Sequence, residues 1–147
     1  MTNPYTANVD TGRARTIRYL ALAVGIVYAI IGVVGFFVTG LDNFASPTGK
    51  TLLGLEINPL HNIVHVATGI VGIVMSRTLS AARAFGWLLV VVYGVVFLYG
   101  LFAIGQPDVN FLSINWGDNW LHLVTVLVGL LIALVPATAG ARARSMP

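Results

Sequence analysis

Residues 55–72 read LEINPLHNIVHVATGIVG, and residues 112–129 read LSINWGDNWLHLVTVLVG. Aligned without gaps, the two stretches share Leu55 with Leu112, Ile57 with Ile114, Asn58 with Asn115 and Asn62 with Asn119. They also share His65 with His122, Thr68 with Thr125, Val71 with Val128 and Gly72 with Gly129. Half of these matches are polar, so common hydrophobicity does not produce them. The residues before each stretch match more weakly, through Arg18 and Arg83, Val27-Tyr28 and Val92-Tyr93, Gly35 and Gly100, Phe37 and Phe102, and Gly40 and Gly105. The offset falls from 65 to 57 because the first connection is longer. The pattern predicts a tandem-duplicated helical hairpin. Two helices per unit return the second copy in the orientation of the first, which sets a pseudo-two-fold axis along the membrane normal.

Working outward from the repeats, composition identifies the solvent. Of the 147 residues, 57% are hydrophobic and 9% charged, against about 25% charged in a soluble domain. Mean hydropathy is +0.88. The apolar residues form four blocks, Ile17 to Val38, Leu60 to Met75, Phe85 to Ile104 and Trp120 to Val135. About 20 apolar residues match the hydrocarbon core of a bilayer, and a helix satisfies its own backbone there. A closed β-barrel would need many short alternating segments instead. The expected fold is all-α and integral to the membrane, with four transmembrane helices at about 17–39, 59–76, 84–105 and 116–136. They make one domain over 16–137, flanked by a disordered tail at 1–15 and a second tail at 138–147.

Arg13, Arg15 and Arg18 precede the first block, Arg77 and Arg83 lie between the second and third, and Arg142 and Arg144 follow the fourth. The positive-inside rule makes that side cytoplasmic, so both termini are expected there. Lys50, Asp42, Glu56, Asp108 and Asp118 fall on the other side. Trp116 and Trp120 suit an outer aromatic belt and Trp87 an inner one. The first block is longer than a signal-peptide core and has no clear cleavage site, so it is read as retained. The pI of 9.7 fits anionic lipid head groups, with the lipid bilayer and not nucleic acid as partner.

Asn58 before Pro59 is a helix start, with Asn as N-cap and Pro at the first helical position. Asn115 is expected to cap the last helix likewise. His61 and Asp118 then occupy the third position, where an acid completes a capping box. Asn62 and His65, Asn119 and His122 lie one and two turns deeper. Asn62, His65, Gly69 and Gly72 share one helix face, as do Asn119, His122, Thr125 and Gly129. Two readings of these stripes stand open. In the first, Asn and His hydrogen-bond between helices and the glycines permit close approach. In the second, His61, His65, Asp118 and His122 converge on a divalent metal such as Zn, Mn or Fe, or His65 and His122 ligate a haem. Asn62, Asn119, Thr68 and Thr125 would then stand around the ligands. Gly25, Tyr28, Gly32, Gly35 and Thr39 form a small-residue seam on the first helix, expected to be a helix contact.

At Asn58-Pro59-Leu60-His61-Asn62-x-x-His65 and Asp118-Asn119-x-x-His122 the chain resembles a bacterial family of four-span membrane proteins. That family is catalogued as a domain of unknown function (number four-three-eight-three) and is common in actinobacteria. The resemblance covers about Arg15 to Val135. It implies a small protein of the bacterial cytoplasmic membrane and brings neither an activity nor catalytic residues. No Walker loop, dinucleotide fingerprint, nucleophile elbow or zinc-protease helix is present. There is no cysteine, which removes thiolate chemistry, and no charge lies mid-helix as a proton relay would require. The expected function is non-enzymatic, an accessory or membrane-organising component with a membrane-protein partner or as a homo-oligomer. The alternatives are a metal- or haem-binding membrane protein and a small-solute permeation pathway built as a homo-oligomer.

Overall fold

A computed structural model describes the backbone of residues 4–136, with side chains from Gly12 onward. The elements run α1 (Pro4–Thr39), β1 (Thr51–Leu52), β2 (Leu55–Glu56), α2 (Pro59–Met75), α3 (Leu79–Ala103) and α4 (Trp116–Leu134). Within α1 the segment Gly12–Thr39 is long and apolar enough to cross a membrane, as are Leu79–Ala103 and Trp116–Leu134; Pro59–Met75 is a shorter apolar helix.

Two boundaries differ from the sequence expectation. α1 begins at Pro4, so residues 4–15, expected as a disordered tail, continue the helix. Proline is tolerated in a first turn, and no further proline interrupts the residues between it and the first apolar block. The second expected tail, 138–147, lies outside the described residues. α3 begins at Leu79, ahead of the expected 84, because the Thr78 hydroxyl accepts the Ala81 amide as an N-cap. The turn between α2 and α3 is therefore only Ser76 to Thr78.

α1 and α2 pack antiparallel along their length. The Arg18 guanidinium donates to the Ser76 carbonyl at 3.0 Å, and at the other end Asn62 Nδ2 donates to Thr39 Oγ1 at 3.0 Å. Between these ends a Cβ on Gly25 would lie 2.6 Å from the Ile73 amide nitrogen, and one on Gly32 2.7 Å from the Val66 amide nitrogen. The backbones thus meet where the sequence is smallest. α3 and α4 pack the same way, with Arg83 donating to the Val135 carbonyl at 3.0 Å and Gly86 set against Gly129 and Ala133. In each pair an arginine from the first helix satisfies the last carbonyl of the second, a group that a helix end leaves without a partner.

The two pairs meet around Ile17, Ala21, Tyr28, Phe85, Leu89, Tyr93 and Ile132. The opposite faces carry exposed large apolar side chains, among them Phe37 on α1, Ile70 on α2, Val91 on α3 and Trp120 on α4. A water-soluble monomer seldom shows apolar patches beyond a few hundred Å². Apolar faces outward and polar residues inward fit a multi-pass membrane protein.

The connections after α1 and α3 fold onto one another. β1 and β2 pair antiparallel, Thr51 opposite Glu56 and Leu52 opposite Leu55, around Leu53 and Gly54, both at positive φ (56° and 84°). Asn115 Nδ2 donates to the Gly54 carbonyl at 2.9 Å, and Asn58 Nδ2 donates to the Phe111 carbonyl at 2.7 Å. This clasp covers one end of the bundle.

Candidate functional site

Beneath the clasp the N-terminal turns of α2 and α4 face each other across the bundle, meeting through side chains without close backbone approach. Asn58 Oδ1 accepts the His61 amide at 2.8 Å. Asn115 Oδ1 accepts the Asp118 amide while Asp118 accepts the Asn115 amide, a complete capping box. Both expected caps are in place. Asp118 Oδ2 also accepts the Glu56 amide at 3.0 Å. Its side chain therefore ties β2 to α4 through two backbone N–H groups.

One turn deeper the imidazoles converge. Potential ligand atoms of His61, His65 and His122 all lie within 4.8 Å of one another. His61 Nε2 and His65 Nε2 are 3.1 Å apart. Their rings are edge-on at 4.4 Å between centroids, and those of His61 and His122 stand at 5.9 Å. All three residues are at most 3% exposed. Asp118, expected beside them, is not in this group: its Oδ2 turns to the clasp.

The tyrosines of α1 and α3 close the cluster from below. Tyr28 packs edge-on against His65 at 5.0 Å, and Tyr93 lies 5.5 Å from His122. Thr125 Oγ1 donates to the Leu121 carbonyl, so the Tyr28 hydroxyl is the donor in its 2.6 Å bond to Thr125. Tyr93 donates to Thr68 Oγ1 at 3.2 Å. Thr68 and Thr125, expected around the ligands, thus meet the tyrosines of the opposite pair. His61, Tyr28 and Tyr93 pack directly around His65 and His122 and fill the space that a porphyrin between them would need, so the haem variant does not fit.

Asn62 and Asn119 turn away from the imidazoles. Each packs against a glycine of its own pair, Asn62 on Gly35 and Asn119 on Gly100. Asn62 has Thr39 as partner; both polar atoms of Asn119 are buried without one, as are Asn62 Oδ1 and the Nδ1 atoms of all three histidines. Gly69 and Gly72 receive α1, at Ala29 and Gly25, and Gly129 receives Gly86. The packing glycines read from the sequence are therefore helix contacts.

Sequence reasoning missed Tyr93 as a neighbour of the cluster. Its match to Tyr28 in the repeat was the available signal. It also missed the arginine and Lys50 caps; Lys50 Nζ donates to the Thr39 carbonyl at 3.0 Å. A lysine eleven residues beyond a helix end carries no local signal.

No curated protein and no solved structure matches the chain. Residues 18–135 match the family model described as Domain of unknown function (DUF4383), and the chain belongs to that family.

Proposed function

We propose that this is a four-span integral membrane protein, built as two copies of one helical hairpin, that serves as a non-enzymatic accessory or membrane-organising component of the bacterial cytoplasmic membrane. Three observations support the four spans. α2 runs antiparallel to α1 from Ser76, beside Arg18, to Asn62, beside Thr39. Its 17 residues rise about 26 Å, close to the thickness of the hydrocarbon core. Ile70 and Val74 on its outer face are exposed and apolar. The duplication is supported by contacts that recur at matched positions: Arg18 and Arg83 on a terminal carbonyl, Gly35 and Gly100 on an asparagine, and Tyr28 and Tyr93 on a threonine of the other pair.

The accessory reading rests chiefly on the filled centre. Tyr28, Tyr93, Phe85 and Leu89 are buried where the two hairpins meet, and the clasp covers the polar end. A core packed in this way favours a scaffold over a conduit for solutes. Cross-linking in the native membrane followed by purification tests the role. A partner membrane protein at fixed stoichiometry, or a defined homo-oligomer, is the expected result. Recovery as a lone chain that carries solute flux in proteoliposomes would contradict it.

A further inference from the structure

The chain has three histidines, and the fold brings all three to one buried point. They come from different hairpins, His61 and His65 on α2 and His122 on α4. The described residues supply one hydrogen bond between imidazoles, His61 to His65, and leave all three Nδ1 atoms without a partner. The Nε2 atoms of His61 and His65 have only each other as partner, so the nitrogens that face one another in the cluster are open to an occupant that binds imidazole.

We propose that His61, His65 and His122 bind one divalent transition-metal ion of the zinc class, which pins the two hairpins together. Two nitrogens on one tetrahedral ion with bonds of ~2.0–2.1 Å stand about 3.3 Å apart. The His61 and His65 Nε2 atoms are at 3.1 Å, so this edge of the site is nearly set. All candidate ligand atoms fall within 4.8 Å, so His122 is near enough to supply the third nitrogen of the set. The donors select the ion. Imidazole suits Zn, Cu, Ni and Co, whereas Mg and Ca want oxygen, and no carboxylate oxygen belongs to the group. Asp118, one turn above His122 on α4, is the nearest counter-charge on that helix, and three protein nitrogens leave a fourth position for water or an anion.

The ion would meet a need of the fold. Helix contacts are concentrated within each pair, α1 with α2 and α3 with α4, and are sparse between pairs. In lipid no hydrophobic force drives the pairs together. A metal shared by α2 and α4 supplies a strong link at the covered end. This inference is independent of the accessory role: a protein with a resident ion can still be a scaffold, and a scaffold need hold none.

The test uses the full chain, with no histidine in any tag, in mild detergent. Zn²⁺ alone is titrated against a chelator of known affinity into wild type, H61Q, H65Q, H122Q and the triple variant. One zinc per chain is expected, bound at least tenfold more weakly by each single variant, with no specific binding by the triple. Zinc should raise the Tm of the wild type and not that of the triple variant. If the glutamine variants do not fold, Co²⁺ on the wild type decides, since a low-coordinate nitrogen site gives a visible spectrum that zinc removes by competition. A folded wild type that holds no more zinc than the triple variant, or that gives no such Co²⁺ spectrum, overturns the proposal and leaves a hydrated histidine cluster.

Discussion

Asp118 spends one carboxylate oxygen on two backbone amides, those of Asn115 and Glu56. The first belongs to its own helix start and the second to the β-hairpin of the other half. D118A should therefore destabilise the protein by more than a simple cap loss, about 1–3 kcal/mol with two part-buried donors left unmet; thermal unfolding in detergent measures it. A loss no larger than that of D108A, an exposed acid in the neighbouring loop, would deny the bridge. Glycine works by a different cause. A Cβ on Gly25 would meet backbone atoms of Ile73, Gly69 and Gly72, and backbone cannot rotate aside. G25A should cost about 1–3 kcal/mol as overpacking, whereas G94A, where a Cβ meets nothing within 4 Å, should be neutral or stabilising because alanine favours helix. Both roles were legible in the sequence, the capping box from spacing and the seam from its 3,4 period. The second bond of that Asp118 oxygen was not, because Glu56 reaches it only through the folded clasp.

At the scale of elements, α3 shows how a local signal sets a boundary. Thr78 caps the Ala81 amide and starts the helix inside what composition alone reads as a loop. T78A should fray the first turn at a cost of about 1 kcal/mol, seen as faster hydrogen exchange at residues 79–82 with the rest of α3 unchanged. The β-hairpin is the opposite case. Its strands are two residues each, too short for an alternating pattern, and its turn carries Leu53 at φ 56° where Asn or Gly would announce it. The turn is held by contacts from outside the hairpin, Asn115 on Gly54 and Asp118 on Glu56. Leu53 is 88% exposed, so L53G removes strain without losing packing and should stabilise by about 1 kcal/mol, read as a higher Tm. A lower Tm would mean that the leucine is held by something other than the clasp. The four helices were legible because each carries a continuous apolar run; the clasp was not, because it exists only by tertiary contact.

For the whole molecule, the sequence expectation joined His61, His65, Asp118 and His122, and the fold brings the three imidazoles together while leaving Asp118 out of the group. Their mutual distance was beyond reach, being fixed by how two hairpins lean on Tyr28 and Tyr93. The same logic governs topology. If α2 crosses the bilayer with α1, the α2–α3 turn lies on the side opposite to both clasp loops, and the orientation of the arginines puts it inside. The chain contains no cysteine, so single cysteines report cleanly. D42C and D108C in the clasp loops and S80C at the start of α3 replace exposed residues. With an impermeant maleimide on intact cells, D42C and D108C should label at once and S80C only after permeabilisation. Labelling of S80C in intact cells together with D42C would mean that α2 does not cross, and the account of two membrane-spanning hairpins would be wrong.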